Sequence, residues 1–385
     1  MEFETWQLLV IPLFFAMGWL AARVDIRQVV KESRTVPTSY FRGLNYLLNE
    51  QPDQAIEAFL EVARLDPDTL ELHFALGALF RRRGELDRAI RIHQNLVDRS
   101  DLKQEQRLKA LYELGQDFLK AGLLDRAEDI FKRLEGGGHA PDAVRNLLDI
   151  YVLEKDWQQA IVTAQRLEKL GSPCQKADTA HYYCELALDD MLRKDTDAAR
   201  RHLDAAMEIN RRAVRASQLH GDLAAQAGDD EAAIAHWRRI EQQNVVYLPI
   251  VAERLLKAYQ RLGRTGEGID LLKSYLDRQP SADLFHILFN AVAEHQGWQA
   301  AEALAAEALK QQPGLRVLDD YLQARTAGTG SDLEIRMTQD LVHRQVSRVS
   351  YYQCGHCGFK ARQFFWQCPA CAAWEGIPPE RKESE

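Results

Sequence analysis

A pattern of apolar and small residues recurs about every 34 residues through most of this chain of 385 residues. In the two clearest segments, Leu76-Gly77 and Leu114-Gly115 are each followed by a phenylalanine, another glycine, a Leu-Asp pair and an alanine. Aligned in this way, eight segments begin near residues 36, 70, 108, 141, 180, 214, 249 and 282. A period of this length indicates a stack of small supersecondary units, each packed against its neighbours.

Each segment has the residue order expected of two paired helices. The small residue after the leucine lets the second helix approach the first, and the alanine early in the second helix does the same from the other side. Prolines such as Pro67, Pro280 and Pro313 cannot continue a helix and end it. The unit resembles the tetratricopeptide repeat, and we expect about eight repeats over residues 36–315. Repeats four and five match less well, because Leu148 and Asp190 replace the preferred residues.

The composition favours helix along the whole chain. Alanine, leucine, glutamate, arginine and glutamine dominate, and all of them favour the α-helix. We therefore predict an all-α fold, in which two further helices at 317–325 and 332–346 cap the repeats within residues 316–350. The formal net charge of −8 argues against a nucleic-acid-binding protein, which is usually basic.

The N-terminus has the features of a membrane anchor. Residues 5–22 carry no charge and, as a helix, would span about 27 Å, close to the thickness of a bilayer core. A cleaved signal peptide would need a positive leading segment, whereas this chain begins with Glu2 and Glu4. Lys and Arg follow the span and none precedes it. We predict a transmembrane anchor over 1–22 and a juxtamembrane linker over 23–35, with the remainder cytoplasmic.

Four of the six cysteines lie close together near the C-terminus, as two CxxC pairs separated by ten residues. Two such turns can aim four sulfurs at one point, so we predict one metal ion bound by Cys354, Cys357, Cys368 and Cys371. Tetrahedral sulfur suits zinc or iron alike. The sequences around these cysteines resemble the knuckles of rubredoxin, which imply iron. We expect a rubredoxin-like domain over 351–376 that needs its metal to fold, followed by a tail over 377–385.

The other two cysteines, Cys174 and Cys184, are interpreted as buried small apolar residues.

Several positive and polar residues are expected on one face of the first helices in repeats two to four. A basic groove of this kind would suit an acidic partner segment. The same residues are also compatible with an ordinary solvated face, since Glu71, Asp142 and Asp149 lie among them. The candidate partner-binding residues are Arg81, Arg82, Lys109, Tyr112, Gln116, Lys120 and Arg145.

The sequence contains no HExxH, GxSxG, P-loop or GxGxxG motif, so we predict that the chain is not an enzyme. Three functions remain open at this point. The first is a scaffold or protease adaptor that works by binding other proteins. The second is an electron-transfer protein with a rubredoxin-like centre on a repeat scaffold, although no flavin or second redox motif is visible. The third is a zinc-stabilised chaperone receptor, although its usual set of groove lysines and asparagines is not evident.

The order of one N-terminal span, about eight repeats and a tail reading YQCGHCGF and then WQCPACAAW resembles the lipopolysaccharide assembly protein B family of the Gram-negative inner membrane. The resemblance extends over the whole chain. It implies that the four cysteines bind iron and that the protein regulates lipopolysaccharide synthesis. It also implies action with the membrane protease FtsH to promote degradation of the deacetylase LpxC, and the gathering of lipopolysaccharide assembly proteins at the membrane.

Overall fold

A computed structural model describes residues 16–19, 38–49, 51–65, 69–136, 138, 140–172, 175–311, 313–329, 333–349 and 351–382. Most of the predicted anchor over 1–22 and all of the linker over 23–35 lie outside these residues. Residues 16–19 form a single helical turn. Among the helices of the described ranges, none combines the length and the apolar character needed to cross a bilayer. The chain divides into two compact units, 1–150 and 151–385.

The first unit consists of helices that follow one another in pairs. Helix α7 begins in this unit and extends four residues past its end. Within the unit, α1 contacts α2, α3 contacts α4 and α5 contacts α6. The helices are α1 (Thr38–Leu48), α2 (Pro52–Leu65), α3 (Leu70–Arg83), α4 (Leu86–Asp98), α5 (Gln104–Lys120), α6 (Leu124–Leu134) and α7 (Ala140–Glu154).

The second unit continues the same order and ends in a short antiparallel strand pair. Its helices are α8 (Trp157–Lys169), α9 (Lys176–Leu192), α10 (Thr196–Ile209), α11 (Val214–Gln226), α12 (Asp230–Arg238), α13 (Ile240–Gln243), α14 (Leu248–Arg261), α15 (Thr265–Arg278), α16 (Ala282–Gln296), α17 (Trp298–Gln311), α18 (Leu315–Thr329) and α19 (Leu333–Val349). A 3₁₀ turn, Val245–Tyr247, precedes α14, and the strands are β1 (Tyr352–Gln353) and β2 (Lys360–Ala361). The predicted helical repeats with a small C-terminal knuckle are therefore confirmed.

In four repeats the two helices meet where a glycine of the first faces a ring of the second. A methyl group added at any of these glycines would lie less than 3.0 Å from the facing ring. The pairs are Gly43 with Phe59, Gly77 with His93, Gly115 with Phe131 and Gly221 with Trp237. The alanine early in the second helix is completely buried in seven repeats, at Ala55, Ala89, Ala127, Ala160, Ala199, Ala233 and Ala301. Small residues thus set the distance between the paired helices.

The turn between paired helices has the same geometry in six repeats. One residue adopts the left-handed conformation, and the next donates its amide to the carbonyl five residues earlier, as Glu85 does to Phe80 and Asp195 does to Asp190. The left-handed residue is glycine in four repeats, at Gly84, Gly122, Gly228 and Gly263. In repeats four and five it is Lys155 or Lys194. A side chain in this conformation costs about 1 kcal/mol that glycine avoids.

The first helix after the repeats is longer than the sequence indicates. It runs to Thr329, whereas residues 326–331 were expected to form a connection. Gly328 lies against the preceding helix, where a Cβ atom would sit 3.6 Å from Trp298. Packing of α18 on α17 therefore outweighs the poor helix propensity of the Thr-Ala-Gly-Thr segment.

Gly221→Ala should lower the free energy of unfolding by about 2–3 kcal/mol, because the new methyl group overlaps the Trp237 indole and forces the helices apart. Gly266→Ala is the matched control, since a Cβ atom there meets open space. It should leave stability unchanged or raise it by up to about 1 kcal/mol. Denaturant unfolding followed by circular dichroism compares the two, and equal stabilities would contradict this role for Gly221.

Candidate metal centre and its docking surface

The four C-terminal cysteines lie on two turns of closely similar geometry. In the first, the Cys354 carbonyl accepts a hydrogen bond from the Gly358 amide at 3.0 Å, and in the second, the Cys368 carbonyl accepts one from the Ala372 amide at 2.9 Å. Gly358 and Ala372 both adopt the left-handed conformation, with φ of 77° and 57°. The first turn is held by β1 and β2, which pair Tyr352 with Ala361 and Gln353 with Lys360. A bridge between Gln367 and Trp374 holds the second turn.

These turns bring the four sulfur atoms together. All four lie within 4.8 Å of one another, and two close pairs are Cys354 with Cys371 at 3.8 Å and Cys357 with Cys368 at 3.7 Å. A disulfide would require about 2.0 Å. A tetrahedron with metal–sulfur bonds of about 2.3 Å has edges of about 3.8 Å, which the two close pairs match. The cysteines therefore form a metal-binding knuckle, and the all-sulfur donor set fits zinc or iron.

The backbone around the Cys354 sulfur favours the thiolate form of this residue. The Cys357 amide donates to the Cys354 sulfur and lowers the pKa of Cys354 well below its usual value. Gly376 passes close behind that sulfur, since a Cβ atom at this position would lie 3.2 Å from it. Cys354 and Cys368 are buried, whereas Cys357 and Cys371 are exposed, as is His356. The knuckle thus has an inner pair and an outer pair of sulfurs.

The second turn places Trp374 on the first helix of repeat five. The Trp374 indole stacks on the His181 imidazole with centroids 4.6 Å apart and planes 8° apart. Trp157 and Tyr182 meet the same indole edge-on, each at 6.2 Å. His181 Nε2 lies 3.2 Å from a carboxylate oxygen of Glu375. Aromatic and polar contacts therefore fix this corner of the knuckle to α8 and α9.

A second aromatic contact lies on the first helix of repeat six and on the 3₁₀ turn that precedes α14. Trp366 stacks on Tyr247 with centroids 5.2 Å apart and planes 4° apart. The Arg215 guanidinium lies 6.0 Å from the Trp366 ring and 5.5 Å from the Trp374 ring. Arg215 is only 6% exposed and pairs with Glu185 at 2.7 Å. A buried cation between two indoles thus connects the repeats to both tryptophans of the knuckle.

The third contact is made by the chain that follows the knuckle. The Arg381 amide donates to an Asp283 carboxylate oxygen at 3.0 Å, and the same carboxylate accepts from the Arg316 guanidinium. Asp283 and Arg316 lie near the starts of α16 and α18. Together the three contacts seat the knuckle along the first helices of successive repeats in the second unit.

Sequence reasoning missed the residues that receive the knuckle. His181, Arg215, Tyr247 and Asp283 recur at intervals of about one repeat, near the amino-terminal ends of successive first helices or just before them. This periodic set of polar and aromatic residues, together with the aromatic-rich tail, was a signal that could have located the contact.

The candidate partner-binding residues of repeats two to four have local partners. Arg81 is half-buried and pairs with Glu113 and Asp117, both at 2.7 Å. The Lys109 ammonium lies 4.6 Å above the Phe74 ring. The Tyr112 hydroxyl accepts from Gln116 at 3.2 Å, and Arg145 pairs with Asp142 at 3.4 Å. Arg82 and Lys120 are exposed.

Two further cysteines, Cys174 and Cys184, lie outside the knuckle in the sequence. Cys184 is buried in the core of repeats five and six, and burial raises the pKa of its thiol to about 12. It therefore stays protonated and unreactive, as the sequence interpretation requires. Cys174 lies outside the described residues.

Replacing any one of Cys354, Cys357, Cys368 or Cys371 by serine should release the metal, because three thiolates and a hydroxyl bind far more weakly than four thiolates. We expect less than about a tenth of one metal per chain by elemental analysis, with altered tryptophan fluorescence and unchanged far-ultraviolet circular dichroism. Cys184→Ser is the control and should keep its metal. A serine variant of the knuckle with a full metal complement would contradict the assignment.

Comparison with known proteins identifies the family. A family model described as a rubredoxin metal binding domain matches residues 352–379, and a tetratricopeptide repeat model matches residues 42–101. Lipopolysaccharide assembly protein B of Escherichia coli (strain K12) is 35% identical over 379 residues, which cover 97% of this chain and 97% of that protein. The protein of the same name in Haemophilus influenzae is 28% identical over 390 residues, which cover 96% of this chain and 97% of that protein. The expected resemblance is thus confirmed, and the chain belongs to the lipopolysaccharide assembly protein B family.

Proposed function

We propose that this protein is a membrane-anchored adaptor that regulates lipopolysaccharide synthesis. The similarity to proteins named lipopolysaccharide assembly protein B over 97% of the chain carries the proposal. The adaptor would bring the deacetylase LpxC to the membrane protease FtsH for degradation and would gather lipopolysaccharide assembly proteins at the inner membrane. Tetratricopeptide repeats support this role because they offer extended surfaces for binding other proteins.

The docked knuckle supports a structural use of the metal. A module of this size has too small a core to fold alone, so the metal and the contacts with the repeats both stabilise it. In return, Trp366, Trp374 and Arg381 connect the first helices of repeats five to eight. The metal would therefore act indirectly. It would keep the knuckle folded, and the knuckle would hold in place the repeats to which partners bind. Cys354, Cys357, Cys368 and Cys371 would hold it, and we propose iron as the natural ion.

The exposure of Cys357 and Cys371 favours a second candidate, electron transfer through an iron centre. Exposed thiolates would let an electron pass to a partner at the surface. The two candidates differ in how they depend on the metal. An adaptor needs the tetrahedral geometry and works with zinc or iron, whereas an electron carrier needs iron, because zinc has no redox chemistry.

The half-life of the deacetylase in cells tests the adaptor proposal. Cells without the protein should degrade the deacetylase several times more slowly than wild type. Trp374→Ala should lengthen the half-life, because it removes the stacking on His181 worth about 1 kcal/mol and leaves a cavity beside Trp157. Trp298→Ala, which removes a tryptophan of the repeats that lies outside the docking contacts, is the control and should stay close to wild type.

An unchanged half-life in cells without the protein would end the adaptor proposal. A zinc-loaded protein should restore degradation as well as the iron form does. Restoration by iron and never by zinc would favour electron transfer.

Deletion of residues 1–22 should release the protein from the inner membrane and slow degradation of the deacetylase. Confinement to the membrane raises the effective concentration of membrane partners, and a released adaptor loses that advantage. Cell fractionation and a C-terminal cytoplasmic reporter measure the effect, and replacement of the segment by an unrelated single-pass anchor should restore it. A mature N-terminus near residue 23, or a periplasmic C-terminus, would exclude the proposed topology.

A further inference from the structure

The last helix of the second unit, α19, has apolar side chains on two opposite faces. One face is half-buried and includes Val342 and Val346, and the helix packs against α18. The other face carries Leu333, Met337 and Leu341, which are 71%, 59% and 63% exposed. These three residues are four positions apart, so they form one row with about 6 Å of helix between neighbours. A terminal helix of a repeat stack normally presents a polar face to water, and a row of large apolar side chains there is characteristic of a contact surface.

Charges of both signs lie around this apolar row. The charged and titratable residues of α19 are Glu334, Arg336, Asp340, His343, Arg344 and Arg348. His343 is paired with Asp319 of α18 at 2.8 Å. By helical position, Arg336 and Asp340 lie on one side of the row and Glu334 lies on the other. Arg336 and Asp340 are exposed, and neither is in an ion pair within the described residues.

A second copy of α19, running antiparallel, would interdigitate with the apolar row. We consider a twofold axis level with Thr338, so that each residue faces the one equally far from position 338 in the other copy. Leu341 then falls between Met337 and Leu333 of the partner subunit, about 3 Å along the helix from each. Each Met337 likewise lies about 3 Å along the helix from Met337 of the partner subunit. All three exposed apolar residues of both copies are therefore covered in one register.

The same register brings opposite charges together. A twofold axis perpendicular to the helix pair keeps each side of the row next to the same side of the other copy. Asp340 then lies directly opposite Arg336 of the partner subunit, and this contact occurs twice. Glu334 lies about 3 Å along the helix from Arg344 of the partner subunit. Apolar and charged residues thus agree on a single arrangement, which is closed because each copy uses the same surface.

A parallel pair of the same helices would lack this match. It would place Arg344 and Arg348 beside the identical arginines of the partner subunit, and like charges in direct contact are unfavourable. Antiparallel helices also place the negative end of one helix dipole beside the positive end of the other. The charges therefore select the antiparallel orientation.

We propose that Leu333, Met337 and Leu341 of α19 form the contact between two copies of this chain, paired antiparallel about a twofold axis at Thr338. One pair of 17-residue helices buries less surface than the about 1,200 Å² of a standard interface, so this contact is weak in dilute solution. Confinement of both chains to one membrane would raise their effective concentration and favour the pair. The inference goes beyond the adaptor function, since a dimer presents every surface of the repeats twice.

Sedimentation equilibrium of the full metal-loaded chain in density-matched detergent tests the contact. We expect wild type to be partly dimeric at about 50 μM. Leu341→Gln should raise the dimer dissociation constant about tenfold, because it removes an apolar side chain from both copies. Its melting temperature should match wild type, since Leu341 is exposed. Leu192→Gln is the matched control, since Leu192 is an exposed leucine of α9, and it should dimerise as wild type does.

Charge reversal at Arg336 and Asp340 tests the antiparallel register. R336D and D340R should each weaken the dimer about tenfold, because each places like charges opposite one another twice. An equimolar mixture of the two variants should dimerise at least as tightly as wild type. In the mixed pair one chain has two acids and the other has two bases at these positions, so both contacts join opposite charges. Added salt should reduce the difference between the single variants and the mixture.

A wild-type chain that stays monomeric at about 100 μM would overturn the proposal, and a helix of a different protein would then be the occupant of the row. A dimer that Leu341→Gln leaves intact would also overturn it, because the chains would associate through another surface such as the anchor. Failure of the mixed variants to recover would exclude the antiparallel register. None of these measurements involves the deacetylase or the protease, so their outcome is independent of the adaptor function.

Discussion

The close approach of two helices within each repeat is the constraint on which the rest of the structure depends. In four repeats a glycine of the first helix faces a ring of the second, and in seven repeats the second helix carries a completely buried alanine, so these positions leave no space for larger side chains. Where that distance is fixed, the next repeat can pack at the same interval, and the core of the second unit continues from Val214 to Ala324. Residues near the amino-terminal ends of successive first helices, or just before them, then form the surface that the knuckle contacts.

The metal knuckle and the repeats of the second unit stabilise each other. Arg215 is buried between Trp366 and Trp374 and is paired with Glu185. Removal of the knuckle would expose the aromatic faces of His181 and Tyr247 that now stack on its tryptophans. These contacts form only while the knuckle keeps its shape. The shape depends in turn on four sulfurs around one ion.

Local features of the sequence were sufficient to predict the repeats and the ligands of the metal. The glycine and alanine spacing reflects contacts inside one repeat, and the two CxxC pairs lie within 18 residues. Docking of the knuckle could not be predicted from local features, because His181 and Glu375 are 194 positions apart and neither belongs to a motif. The acids expected among the basic residues of repeats two to four were Glu71, Asp142 and Asp149. The structure adds Glu113 and Asp117 of the following first helix, which pair with Arg81.

Docking also couples occupancy of the metal site to the stability of repeats that contain no metal ligand. A ligand that binds only the folded state stabilises it by an amount that grows with the logarithm of its concentration, about 4 kcal/mol at a thousand times its dissociation constant. Because Trp374 and Trp366 rest on α9 and on the turn before α14, part of that free energy is expressed in the repeats. The rest of α9, up to Leu192, belongs to the same helix as His181. The metal can therefore stabilise parts of the repeats that it does not touch.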